Sequence, residues 1–327
     1  MLTVAVTGPT GEIGKPFVSA LERLPDVERV VGMARRPFDP AAEGWTKVEY
    51  RQGDILDRDS VEALVEGADV VAHLAFVIVA GSAASREINL NGSRNVFEAT
   101  AAAGAKRLVY TSSVAAYGFH PDAPALLTEE VPVRGTDRHP YSAHKAEVEE
   151  LLTASLAGSR TDAYVFRPCI VAGPRAPALV ETVPLLVIER RLPGPVRRLS
   201  WARPVLPDPG VPFQLVHHDD VASALCAGVL GAGAPGAYNL AGPGELTVSD
   251  LATELGWHSL PLPRVAVRAT AELVARLPLI PAEVAWIEAV RRPVLMSAAR
   301  AREALDWQPM FDARETLRQT IAAARDR

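Results

Sequence analysis

Thr7-Gly8-Pro9-Thr10-Gly11-Glu12-Ile13-Gly14 follows the apolar run Leu2-Thr3-Val4-Ala5-Val6 without a break. Three glycines at this spacing permit a tight turn, let backbone approach a pyrophosphate, and let a helix pack on a strand. An amphipathic pattern then runs from Ile13 to Leu24. A helix starting near Glu12 offers unpaired N–H groups and a positive dipole end to phosphates. Thr7, Gly8, Thr10, Gly11, Glu12, Ile13 and Gly14 are therefore candidate dinucleotide contacts. A glycine triad alone fits a structural turn equally well; the strand before it and the helix after it favour the phosphate reading.

Outward from this motif the chain alternates. Strands are expected at Leu2–Val6, Arg29–Ala34, Lys47–Gln52, Asp69–Ala75, Arg107–Ser112 and Ala163–Arg167. Helical patterns fall at Ile13–Leu24, Ser60–Glu66, Arg86–Ala103 and Tyr141–Leu156. Such alternation implies βαβ units, a parallel sheet and helices on both faces. A further strand is expected at Phe213–Val216, a helix at Val221–Leu230, and a mostly helical tail from Leu246 to Arg327. The fold class expected is α/β: a Rossmann-type doubly wound parallel sheet with a smaller, mostly helical C-terminal substrate lobe. Residues 1–168 plus 213–242 would form the dinucleotide domain, and 169–212 plus 243–327 the lobe.

Bulk properties narrow the class. A chain of 327 residues suffices for a large α/β core with an added lobe. A net charge of −5 gives no basic field for nucleic acid. Cys169 and Cys226 match no metal spacing and read as reduced thiols of a cytoplasmic protein. The N-terminus opens on a strand rather than a leader, and no apolar run is long enough to span a bilayer. No fixed-period repeat is visible. Four lysines against many arginines read as a composition bias.

The second strand decides the cofactor. An acid at its end would hold a ribose 2′-hydroxyl. Here the strand ends Gly32-Met33-Ala34-Arg35-Arg36. Small residues followed by Arg35 and Arg36 leave room and positive charge for a 2′-phosphate, favouring NADP(H) over NAD(H); the alternative is a solvated basic loop. Asp54, with Ile55 beside it, is placed to meet the adenine ring, or else leads the next helix as a cap.

Tyr141 and Lys145 sit four residues apart and share one helix face. With six tyrosines and four lysines in the chain, chance supplies well under one such pair. A nearby ammonium and an oxidised nicotinamide both favour a phenolate, drawing a group whose free pKa is about 10 toward a useful range. A surface Tyr–Lys pair is the plainer alternative.

Together with the glycine motif, Tyr141-Ser142-Ala143-His144-Lys145 resembles the extended short-chain dehydrogenase/reductase family. The resemblance covers nearly the whole chain, through "HLA" (His73–Ala75), "INLNGSRNVFEA" from Ile88, "YTSSVAAYG" from Tyr110, "FRPCIVAGP" from Phe166, "VHHDDVASAL" from Val216, "YNLAGPGELT" from Tyr238 and "LDWQP" (Leu305–Pro309). It implies that Tyr141 exchanges a proton with a ketone or alcohol. It implies also that Lys145 holds the nicotinamide ribose and lowers the tyrosine pKa, and that Ser113 polarises the carbonyl. Ser112 is the neighbour if the register slips. Asn89 matches a family asparagine ordering backbone or water behind Lys145, with plain packing as the other reading. Leu74, Ala75, Arg167 and Pro168 are implied cofactor contacts, and Val77 and Tyr117 implied substrate contacts, with core packing the alternative for Tyr117. A homodimer through Arg86–Ala103 and Tyr141–Leu156 is implied by family habit.

His217-His218-Asp219-Asp220 has the look of a metal cluster. Adjacent strand residues point to opposite faces, so the Asp pair is expected to cap the following helix and no metal is expected. His73 reads as a structural or cofactor contact. Family members acting on nucleotide sugars often carry an asparagine shortly after the Arg-Pro; here Cys169, Ile170 and Val171 stand instead. Phe76–Gly81 and Val180, Val183, Leu185, Leu186, Val187 and Ile188 are apolar, which suits a lipophilic ketone or alcohol, with core packing as the other reading. Arg190, Arg191, Arg197 and Arg198 read as a solvated patch. Two other functions stay open: a nucleotide-sugar epimerase or dehydratase with tightly held cofactor, and a non-catalytic NADP-binding regulator, which the Tyr–Lys pair argues against.

Overall fold

A computed structural model describes residues 1–78, 83–137, 139–181, 203–262 and 293–326. Its elements are β1 (Leu2–Thr7), α1 (Gly14–Arg23), β2 (Val27–Ala34), β3 (Val48–Gln52), α2 (Arg58–Val65), β4 (Val70–His73), α3 (Ala83–Glu87), α4 (Ser93–Ala102), β5 (Arg107–Thr111), β6 (Leu126–Leu127), α5 (Pro140–Ser155), β7 (Asp162–Pro168), β8 (Ile170–Ala172), α6 (Ala178–Glu181), β9 (Val205–Asp208), β10 (Leu215–His217), α7 (His218–Leu230), β11 (Gly236–Leu240), α8 (Val248–Leu255), β12 (His258–Pro261), β13 (Leu295–Met296), α9 (Ala299–Leu305) and α10 (Ala313–Arg325).

Seven strands form one parallel sheet in the order β11-β7-β5-β4-β1-β2-β3. The chain winds outward from β1 in one direction and from β4 in the other. The two meet at a switch point whose C-terminal ends are Thr7 and His73. A crevice opens there in doubly wound sheets. Alternation along β1 supplies both cores. Val4 and Val6 pack with Phe17, Val18 and Leu21 of α1 and Val221 and Leu225 of α7. Ala5 packs with Val61 and Leu64 of α2, Val96 and Phe97 of α4, and Val148 and Leu152 of α5. A third cluster joins Leu206, Leu215, Leu251, Leu255, Trp257, Leu317 and Ile321.

Several expectations shift. The helix expected over 86–103 is broken by a π-turn at Ile88–Gly92, where a Cβ on Gly92 would overlap the Ile55 side chain. The seventh strand, β11, carries a buried Asn239 next to its last residue, which interrupts any apolar signal. The strand expected at Phe213–Val216 lies one step later, and it pairs with β8 rather than the main sheet. In the tail, α8, α9 and α10 are accompanied by the short strands β12 and β13. Residues 79–81, Val183–Ile188, the four arginines from 190 to 198 and the Val180 side chain lie outside the described residues. Among the described residues no helix is long and apolar enough to cross a membrane.

Candidate active site

Gly8 takes φ +73° directly after β1, and its N–H donates to the Met33 carbonyl at 3.0 Å. A Cβ there would stand 2.9 Å from the Ala75 amide nitrogen. On Gly14 it would overlap the Gly8 carbonyl oxygen. The fold itself demands these two glycines. Gly11 differs: a Cβ there would meet nothing nearer than the Gly8 oxygen at 3.5 Å, and the residue is exposed. The fold therefore leaves room for a side chain at Gly11 that it denies at Gly8 and Gly14. The helix α1 behind it has no acid in its first turn and no capping side chain at Ile13. Thr10 is half-buried and Glu12 exposed on the same loop. Thr7 anchors the junction, its hydroxyl accepting from the Ala75 amide (3.3 Å) and meeting His73 Nδ1 (2.7 Å), while Leu74 donates to the Thr7 carbonyl (3.1 Å).

Arg35 and Arg36 are exposed just past β2, and among the described residues neither guanidinium has an acid partner. Their backbone is held from β3: the Tyr50 hydroxyl donates to the Ala34 and Arg36 carbonyls, and Gln52 Nε2 donates to the Arg35 carbonyl at 3.0 Å. Asp54 accepts the Leu56 amide at 3.0 Å and stands ahead of Asp57, the true N-cap position of α2. Ile55 is buried against Gly92.

His139 caps α5, its Nδ1 accepting from the Ser142 amide at 3.3 Å, and Pro140 opens the helix. Tyr141, Lys145 and Glu149 then stack along one face. Burial raises the Tyr141 pKa above its ordinary value of 10.0, and the nearby Ser113 side chain opposes that shift. Ser113 Oγ also accepts from the Ala115 amide at 3.2 Å. Lys145 Nζ donates to the Thr111 carbonyl at 2.8 Å and to the Tyr110 hydroxyl at 3.4 Å. It lies 3.7 Å from the centroid of Phe76 and 5.9 Å from that of Tyr141, a cation–π arrangement. Burial lowers the Lys145 pKa to about 7, with the Glu149 charge opposing. Phe76 is the link: its ring packs edge-on to Tyr141 at 5.5 Å, and its neighbour Ala75 touches Gly8. The Tyr141–Lys145 face and the glycine loop thus meet across residues 74–76.

The structure bears on five further candidates. Ser112 is buried and donates to Glu149 Oε1 at 2.6 Å, so its hydroxyl is turned away from Tyr141. Tyr117 is 2% exposed; it donates to Asn239 Oδ1 (2.7 Å) and accepts from Arg167 Nη1 (2.9 Å), with no face left for a substrate. Arg167 is not aimed at a cofactor: Nη2 and Nε donate to Glu149 at 2.6 and 3.0 Å. Pro168 beyond it is buried and registers with Leu240. Asn89 orders backbone, but at Val77 rather than behind Lys145. Its Oδ1 accepts the Val77 amide (2.8 Å), its Nδ2 donates to the Val77 carbonyl (2.9 Å), and it reaches His144 at 3.3 Å. Phe76, Tyr110 and Glu149 were not singled out from the sequence as individual site residues. Glu149 had a signal, lying one further turn along the Tyr141–Lys145 face.

The histidine pair also departs from expectation. His217 ends β10 while His218 opens α7, so strand alternation does not apply and their rings meet at 4.2 Å. The cap is His217, whose Nδ1 accepts the Asp219 amide at 3.2 Å; the two aspartates lie in the first turn. Asp220 accepts from the Met310 and Phe311 amides at 2.7 and 3.2 Å. The ligand atoms of His217, His218 and Asp219 lie within 4.8 Å of one another. One nitrogen of each ring already accepts a backbone N–H, for His218 that of Arg175 at 3.2 Å. His73 is fully buried, with Nε2 on Ser93 Oγ at 2.9 Å, and burial lowers its pKa to about 3. Both cysteines are buried free thiols whose pKa burial raises, Cys226 to about 12.

A doubly wound parallel sheet with a glycine cradle at its switch point and a Tyr–Lys helix beside it defines a nicotinamide-dinucleotide protein of the extended short-chain dehydrogenase/reductase kind. Residues 4–241 match the NAD dependent epimerase/dehydratase family, and the chain belongs to it. Its full length is 28% identical to the uncharacterized protein Rv2047c of Mycobacterium tuberculosis, of which it spans only 30%. It is 34% identical to human 3 beta-hydroxysteroid dehydrogenase type 7 over 46% of this chain and 44% of that one. To sterol demethylase protein B of Methylococcus capsulatus it is 32% identical over 53% and 52%. The fold matches a DesIV double mutant, a dTDP-glucose 4,6-dehydratase of Streptomyces venezuelae with NAD and DAU bound (TM-score 0.73, 22% identity, 100% and 97% covered). It matches equally WbmH of Bordetella bronchiseptica in complex with NAD+ (TM-score 0.72, 20% identity, 100% and 99% covered).

Proposed function

We infer that the chain is an NADP(H)-preferring oxidoreductase acting on the ketone or secondary alcohol of a mostly apolar small molecule. The observation that carries this reading is the convergence of Tyr141, Ser113 and Lys145 on residues 74–76, the segment that backs the glycine cradle. Gly8, Gly11 and the start of α1 would hold the pyrophosphate, and Arg35 and Arg36 a 2′-phosphate. A nicotinamide supplies or accepts the hydride when bound. Tyr141 moves the proton at the substrate oxygen. Ser113, whose side chain acts on the Tyr141 phenol, orients that oxygen and donates to it as charge develops. Lys145 sets a positive charge beside the phenol and opposes the effect of burial. Asn89 fixes the backbone of the loop that carries Val77.

The apolar choice of substrate rests on Phe76, Val77 and Ile78, the last 61% exposed, and on Ile170 and Val171 after β7. The steroid- and sterol-named relatives support it. The test is to follow NADPH oxidation with a panel of apolar ketones and a panel of nucleotide sugars. Stoichiometric oxidation by one or more ketones is expected. Conversion of a sugar nucleotide with no net cofactor turnover would replace this reading with an epimerase or dehydratase.

A further inference from the structure

Asn89 lies in the π-turn at Ile88–Gly92, fully buried, and its side-chain amide spans the backbone of Val77. Val77 offers it one donor and one acceptor. The Val77 N–H donates to Asn89 Oδ1 at 2.8 Å, and the Val77 carbonyl accepts from Nδ2 at 2.9 Å. Turning the amide over would set oxygen against oxygen and N–H against N–H, so Val77 fixes which end is which. One hydrogen of Nδ2 is left over, and Nδ1 of His144 stands 3.3 Å from that nitrogen.

An amide N–H can bond to an imidazole nitrogen only where that nitrogen carries no proton. The contact therefore requires a neutral His144 with its proton on Nε2. The ring is 7% exposed, and burial lowers its pKa below 6.5, which favours the neutral form. The charged groups that act on it are Glu147 on its own helix and Arg86 on α3, which are paired with each other at 2.6 Å. The π-turn and residues 74–78 carry no titratable side chain.

We propose that His144 is a positioning residue: as a hydrogen-bond acceptor it orients the Asn89 amide, and Asn89 in turn fixes the Val77 peptide. The residue before that peptide is Phe76, whose ring centroid lies 3.7 Å from Lys145 Nζ and whose ring packs edge-on to Tyr141 at 5.5 Å. Helix α5 thus touches residues 76–77 twice, through Tyr141 and Lys145 on Phe76 and through His144 by way of Asn89 on Val77. Without the acceptor at 144, one buried Asn89 N–H is left unpaired, and the amide gains by turning away from Val77. What that does to turnover rests on the function proposed above.

Two measurements on the full-length protein test this, with neither cofactor nor substrate added. NMR of histidine-labelled protein gives seven ring signals, and His144→Asn identifies that of His144 by its loss. Near neutral pH the ring should carry its proton on Nε2; a proton on Nδ1 overturns the proposal. Amide exchange is the second readout, with Val109, buried on β5, as the core reference. His144→Leu, which has no acceptor, should speed exchange at the Val77 amide relative to that of Val109 by about fivefold or more. His144→Asn sets an oxygen where Nδ1 stood and should keep exchange within about twofold of the parent. Equal acceleration at Val77 in both variants, or acceleration at Val109 as large as at Val77, overturns the proposal, because packing alone would then be the role of the ring. If His144→Leu fails to fold, the tautomer and the His144→Asn variant still decide. A failure here is distinct from a failure of the proposed reaction, since no reaction is read.

Discussion

Arg35 and Arg36 stand exposed just past β2, with no acid partner among the described residues, where an acid would otherwise meet a ribose hydroxyl. Replacing both with alanine should weaken NADPH binding by about 10- to 100-fold, the size of one or two charge-assisted hydrogen bonds, and leave NADH affinity unchanged. Fluorescence titration with each cofactor checks this, and equal losses for both would contradict it. The exposed place of both arginines past β2, and the shared helix face of Tyr141 and Lys145, were legible in the sequence because their neighbours along the chain define their setting. Tyr110 and Arg167 were not. Tyr110 meets Lys145 across 35 residues of sequence and Arg167 meets Glu149 across 18, through strands whose pairing no local pattern reveals. For Tyr117 the sequence left substrate contact and core packing open for the same reason, since its partner Asn239 is 122 residues away.

The glycine loop separates what the fold needs from what a ligand needs. Gly14→Ala drives a methyl into the Gly8 carbonyl, which should cost about 1–3 kcal/mol in urea denaturation. Gly11→Ala meets open space and should change stability by no more than about 0.5 kcal/mol, yet weaken NADPH binding at least tenfold by filling the cradle. A Gly11→Ala protein that binds NADPH normally would contradict the phosphate assignment. The strands and helices around this loop were readable from periodicity. The π-turn at Ile88–Gly92 was not, because it arises from Gly92 meeting Ile55, a tertiary contact. Nor was the convergence of His217 and His218, which depends on the chain changing from strand to helix between them.

Across the whole molecule, buried histidines set the pH response. His73 and His217 take up a proton in the native state only near pH 3 and 4, whereas an unfolded histidine does so near 6.5. Between those values the unfolded chain binds more protons, so stability is complete above about pH 6.5 and falls as the solution is acidified. Each contributes a slope of up to about 1.4 kcal/mol per pH unit. Urea midpoints at pH 7, 6 and 5 should decline in that order, and a flat series would contradict the burial of both rings as neutral groups. The same protein supports the most direct measurement of its proposed chemistry. Tyr141→Phe removes one oxygen at the point where Ser113 and Lys145 converge. Paired NADPH-binding and turnover assays should show affinity within about twofold of the parent and turnover reduced at least about 100-fold; undiminished turnover would contradict the assignment of Tyr141 as the proton-transferring group.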